Sequence, residues 1–171
     1  MSDSYLGPVV SSAHLASGSF AELSELEFGL TLANNAFHRW MVRAIAMAGH
    51  PELGALDVLV LHSVYHRSRP KKLADICLVL NIEDTHTVNY AVKKLVKSGL
   101  VTDGRQGKEK TVTATKAGAE VCETYKEIRE GLLMRAVGEL GLEPEQVSRA
   151  ASLLRLMSGQ YDQAARAATT Y

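Results

Sequence analysis

Residues 69–118 read RPKKLADICLVLNIEDTHTVNYAVKKLVKSGLVTDGRQGKEKTVTATKAG, and their spacing decides the fold. Leu73, Ile76, Cys77 and Leu80 recur at helical intervals, which predicts a helix over 71–80 with those four side chains inward. Asn81 follows, the residue besides glycine that most readily adopts left-handed backbone and so closes a helix. Ile82 then drops toward the core and fixes the angle to the next segment. Asp84 is a good N-cap, because its carboxylate accepts the free N–H groups of a first turn. Val88, Ala91, Val92 and Leu95 form the buried stripe of the helix it opens, and Ser98-Gly99 stops it. Leu100-Val101-Thr102 and Thr111-Val112-Thr113-Ala114 read as short strands joined by a polar tip, residues 103–110. Thr115 caps a further helix from Lys116.

The exposed side of the helix over 84–97 is where the chemistry lies. With its apolar stripe inward, it presents Thr85, His86, Asn89, Tyr90, Lys93, Lys94 and Lys97. Short or planar hydrogen-bonding groups near a helix N-terminus suit base edges in the major groove, and asparagine pairs bidentately with adenine. Thr85, His86 and Asn89 are therefore expected to contact bases. Tyr90, Lys93, Lys94 and Lys97 suit backbone contacts, which position without specifying. An ordinary solvated helix face would carry lysines too. Two further basic clusters tip the balance toward DNA: Arg69, Lys71 and Lys72 before the first helix, also on backbone, and Arg105, Lys108 and Lys110 in the hairpin tip.

The bulk composition agrees once its distribution is considered. The chain of 171 residues carries 19 Lys plus Arg and 19 Asp plus Glu, a net charge of zero. Between His62 and Lys116, however, eleven cations face five anions, so the excess positive charge is concentrated in this segment. The apolar content is ordinary for a globular protein. No stretch is long enough to span a bilayer and none reads as a signal peptide, so a cytoplasmic protein without a membrane partner is expected. Two cysteines, Cys77 and Cys122, are too few for a disulfide framework, and the histidines show no zinc spacing. No nucleophile–base set and no phosphate-cradling glycine loop appears, so neither an enzyme nor a cofactor is expected.

The flanks speak to assembly. Residues 1–21 are small and aperiodic and read as a flexible arm. From Glu22 to Ala48, Leu23, Leu26, Leu30, Ala33, Phe37, Trp40 or Met41, Ala44 and Ala48 recur every three or four residues, giving one amphipathic helix. About 25 residues make a rod on the order of 37 Å, longer than a small domain covers, so a second subunit is expected to pack on it. A helix over 55–66 follows, with Leu56, Leu59, Val60 and Val64 inward. After the hairpin, a helix over 116–137 carries Val121, Tyr125, Ile128, Leu132 and Ala136 inward. Gly138 and Gly141 break it, and Pro144 sits in the first turn of a last helix with Val147, Ala151, Leu154, Met157 and Tyr161. The expected division is an arm at 1–21, a dimerisation helix at 22–50, a DNA-binding domain at 51–118 and C-terminal dimerisation helices at 119–171.

Residues 53–118 resemble the winged helix-turn-helix domain of MarR-family transcriptional regulators. Leu73-Ala74 with Ile82 is similar to the family's turn pattern. Val88, Val92, Leu95 and Gly99-Leu100-Val101 are similar to its recognition helix and exit, and Ala114-Thr115-Lys116-Ala117-Gly118 to its Leu-Thr-x-x-Gly after the wing. The family's Asp-Arg-Arg run in the wing is absent, with Gln106-Gly107-Lys108 near that position. The resemblance implies a mainly α, α+β winged-helix fold with long flanking helices. It also implies a homodimer on a pseudo-palindromic operator and, in some members, response to a small-molecule effector or to thiol oxidation. A ligand cleft would involve His38, Arg43 and Tyr65, with Phe37, Trp40, Met41 and His66 nearby. General burial preference favours Phe37, Trp40 and Met41 as plain core, and Cys77 and Cys122 as small hydrophobes. The competing functional reading is a winged-helix protein-interaction module without an operator, its basic face docking an acidic partner.

Overall fold

The computed structural model describes residues 7–170, so the first six residues of the expected arm lie outside the described residues. The chain divides into two compact units, one through Ile128 and one from Arg129 onward.

In the first unit, α1 (Ala13–Ala16) and α2 (Ala21–Met47) come first. The described part of the arm is held against α2: the Ser24 hydroxyl donates to the Leu15 carbonyl at 2.7 Å, and the Val9 N–H to Glu25 Oε1 at 3.2 Å. The helical period of α2 matches the expectation, but its burial is uneven. Met41, Ala44 and Ile45 are buried, whereas Leu30, Leu32 and Phe37 are exposed. Phe37, expected in the core, is thus a correction: it lies beyond the reach of the domain that covers the last two turns. Trp40 is partly buried against the core.

The helix α3 (Ala55–Tyr65) is buried on several sides through Val58, Val60, Leu61 and Val64. A short 3₁₀ turn, His66–Ser68, leads out of it through Arg67 at φ 62°, an uncommon backbone for a long side chain. Lys71–Lys72 then form a strand, β1, and α4 begins only at Leu73, ending at Leu80. The apolar spacing predicts a start at Lys71; pairing of Lys71 with Val112 and Lys72 with Thr111 draws both lysines into the sheet instead. Asn81 caps α4 at φ 52°, as its residue type predicts, and Ile82 donates its N–H back to the Cys77 carbonyl at 2.9 Å.

The next helix, α5 (Thr85–Lys97), buries Val88, Ala91, Val92 and Leu95 and nothing else. Full burial contributes about 1.5–3 kcal/mol for each of the larger ones, so this stripe fixes how α5 rotates about its axis. Strands β2 (Val101–Gln106) and β3 (Glu109–Ala114) are longer than the apolar residues alone suggest. Their register runs from Val101 opposite Ala114 to Gln106 opposite Glu109, leaving a two-residue turn, Gly107-Lys108. Gly107 has φ 63°, the positive value that the first position of such a hairpin turn demands. The sheet order is β1-β3-β2, antiparallel throughout.

The Thr115 hydroxyl accepts the Gly118 N–H at 3.0 Å and donates to the Gly99 carbonyl at 2.8 Å, starting α6 (Lys116–Ile128) and tying it to the exit of α5. At Gly118 a Cβ would collide with the Leu100 backbone carbonyl. Val121, Cys122 and Tyr125 are buried in the common core, so α6 packs with the first unit. The apolar spacing predicts this helix as far as residue 137. In the second unit, residues Arg129–Met134 are a π-helix, followed by α7 (Arg135–Gly138) and α8 (Pro144–Ala168). None of these three elements buries a residue, although Leu132, Val147, Leu153, Leu154 and Leu156 are large and apolar.

Candidate nucleic-acid interface

Local chemistry sets the start of α5. Asp84 Oδ1 accepts the His86 N–H at 2.9 Å and Oδ2 accepts the Thr87 hydroxyl at 2.9 Å. These bonds, the backbone one foremost, hold the Asp84 carboxyl below its ordinary pKa. The cap keeps the first turn of α5 at the surface, with Thr85 and His86 exposed, Asn89 half-buried and Tyr90 72% exposed. A tyrosine that exposed lends nothing to the core.

The lysines of α5 part company. Lys93 and Lys97 are exposed, as expected. Lys94 turns inward: its Nζ donates to Asp57 Oδ2 at 2.7 Å, and the same oxygen accepts the Gly54 N–H at 2.7 Å. The Asp57 side chain is only 8% exposed. Lys94 thus serves as the counter-ion of a buried carboxylate and not as a free backbone contact. Sequence spacing gave no sign of this, because the partners lie 37 residues apart. The nearest signal was Asp57 itself, an acid in the first turn of an otherwise apolar helix.

The two other basic clusters meet. Arg69, Lys71, Lys72 and Arg105 line one groove of about 550 Å³ with Pro70, Asp75 and Thr111. Lys72 is paired with Glu109 at 2.5 Å, and that bond and charge raise its pKa. Arg69, Arg105 and Lys108 are exposed. The antiparallel pairing of β1 with β3 brings the 69–72 cluster to the hairpin, which no sequence period could announce. Lys110, half-buried on β3, donates to Asn89 Oδ1 on α5 at 3.1 Å.

The residues proposed for a ligand cleft are not gathered together. His38 and Arg43 are exposed on α2, and the Tyr65 hydroxyl donates to Glu123 at 2.9 Å, which raises its pKa. Tyr65 lines a cavity of about 90 Å³ that includes neither of the other two. A larger groove of about 760 Å³ lies between α3 and α4, lined by Leu59, His62, His66, Val79 and others, with Arg69 and Lys71. His62 packs edge-on to Tyr125 at 4.7 Å between ring centres, its Nε2 is buried without a hydrogen-bond partner, and burial lowers its pKa. Both cysteines are buried, and burial pushes the Cys122 thiol up to about 12, far from the thiolate that a sensor requires. No described helix is long and apolar enough to cross a membrane, and the described residues hold no metal-binding cluster.

Helix, capped turn, second helix and hairpin, with exposed cations on the second helix and the hairpin, make up a winged-helix fold. The family model of the winged helix DNA-binding domain matches residues 53–118. No curated protein matches the sequence. Solved structures of MarR-family transcriptional regulators have a similar fold. One from Rhodococcus sp. RHA1 superposes with a TM-score of 0.65 at 16% identity, covering 78% of this chain and 91% of that one. An E. coli MarR mutant complexed with operator DNA gives 0.65 at 19% identity, covering 82% and 98%. CouR from Rhodococcus jostii RHA1, bound to p-coumaroyl-CoA, gives 0.66 at 16%, covering 77% and 90%.

Proposed function

We propose that this protein is a homodimeric transcriptional regulator that binds a pseudo-palindromic operator, with α5 in the major groove and the β2–β3 wing on the adjoining backbone or minor groove. The observation that carries this reading is the face of α5. Its apolar stripe is entirely buried, so Thr85, His86 and Tyr90 are left exposed and Asn89 half-buried, and the same unit carries a groove of Arg69, Lys71, Lys72 and Arg105. Thr85, His86 and Asn89 contact bases; Tyr90, Lys93, Lys97 and the clusters at 69–72 and 105–110 hold phosphates. Support for a second copy comes from apolar side chains left in solvent on each unit, Leu32 and Phe37 on α2 and Leu153, Leu154 and Leu156 on α8. Two-fold symmetry would set half-sites roughly 34–36 Å apart. An effector is the second element of the reading, and the groove between α3 and α4 has the size of a small-molecule site.

Selection of genomic fragments by the purified protein, followed by footprinting, tests the operator. Arg105→Ala is expected to weaken binding to all sequences alike and to reduce the slope of log affinity against log salt by about 1. A dimer with no DNA affinity at low salt would return the protein to the interaction-module reading.

A further inference from the structure

Asn89 is expected on a base and Lys110, in the wing, on backbone or minor groove, as separate contacts. The structure puts them in contact. Lys110 Nζ donates to Asn89 Oδ1 at 3.1 Å, and both residues are half-buried. Along β3 the side chains alternate in role. Glu109 pairs with Lys72, Lys110 reaches α5, and Val112 is buried. Arg105 stands directly opposite Lys110 in the register. Like charges opposite one another repel, so a neutral carbonyl acceptor on the helix side is the favourable place for the Lys110 ammonium.

The chemistry of the pair is directional. An ammonium has three donors and no acceptor, so the Asn89 amide must turn its oxygen toward Lys110; the flipped amide would set NH₂ against NH₃⁺. An unrestrained asparagine offers one donor and one acceptor, the pattern that matches adenine N7 and its 6-amino group. Here one lone pair of the acceptor is engaged, and the ammonium beside it repels a base amino group that approaches the other. What remains outward is the NH₂ donor. Guanine offers two acceptors, N7 and O6, at the same groove edge and no donor there.

Resting on the reading of α5 as the recognition helix, we infer that Lys110 is a specificity-determining positioning residue: by holding Asn89 Oδ1 it makes Asn89 read a guanine acceptor edge in place of adenine. The wing then sets base choice through the recognition helix, besides touching the backbone.

In vitro selection from randomised duplexes with the full-length protein tests this, after circular dichroism has shown each variant folded. Wild type is expected to prefer guanine about tenfold or more over adenine at the one position per half-site that Asn89→Ala relaxes. Lys110→Met frees the amide, and the preference at that position alone should move toward adenine. Lys110→Arg keeps a donor and should keep guanine. Asn89→Asp keeps the partner of Lys110 but loses the NH₂, and should lose guanine. If Lys110→Met weakens all sequences equally with an unchanged base profile, Lys110 is a backbone contact and the inference is overturned while the operator reading stands. Selection of adenine there by wild type overturns the inference in the same way. Failure of wild type to select any duplex overturns both.

Discussion

The two units of this protein make opposite use of similar sequence. In the first, the apolar stripes of α3, α5 and α6 close on one another around Ile45, Leu61, Val88 and Leu95, each essentially inaccessible. In the second, α8 carries Val147, Ala151, Leu154, Met157 and Tyr161 at helical intervals and buries none of them. An amphipathic period states only that a face needs cover. Whether the cover comes from the same unit or from another copy is a separate fact. The first unit holds its own core; the second presents a surface.

That contrast can be broken most sharply at Gly118. A methyl group there meets the Leu100 carbonyl, and backbone does not swing aside as a side chain would. Gly118→Ala is expected to cost more than about 3 kcal/mol, as severe overpacking does, and to unfold the winged-helix unit in a denaturant titration. A melting curve near that of wild type would mean that α6 can shift away from the Leu100 backbone.

The next test sits on adjacent residues. Lys94→Ala strands the Asp57 carboxylate in the core and is expected to cost about 2–4 kcal/mol; Lys93→Ala, exposed one position earlier, should stay within about 0.5 kcal/mol yet weaken DNA binding more. Equal stability losses from the two would show that the Asp57 pair is not formed. The smallest expected effect on stability comes from α8. Leu154→Asp removes no buried contact within its unit and should leave the chemical melt of the first unit within about 0.5 kcal/mol. The same change should turn a dimer into a monomer in sedimentation. A dimer that survives it would place the interface elsewhere.

Much of the candidate interface was legible because it rests on local rules. Asn81 and Asp84 cap their helices by residue type alone, within a turn of where they stand. The four inward residues of α5 follow from their spacing, and so do the outward ones except Lys94, which turns in to Asp57. What was not legible joins residues far apart. Asp57 meets Lys94, Lys72 meets Glu109 and Lys110 meets Asn89 only after α3, α5 and the hairpin have packed. The two-residue strand at Lys71–Lys72 has no pattern of its own; it exists because β3 runs beside it. The wing strands also outran their apolar residues, since ladder bonds continue through Asp103-Gly104-Arg105-Gln106 whatever side chains they carry.

By itself, then, the order of residues determined a helix, capped turn, helix and hairpin, and an exposed polar face flanked by cations, because caps, periods and glycine turns act over a few residues. Tertiary structure alone decided which cations remain free to meet a partner. A lysine's pattern in sequence is the same whether it faces water, a buried carboxylate or an asparagine; only packing brings the acceptor within reach.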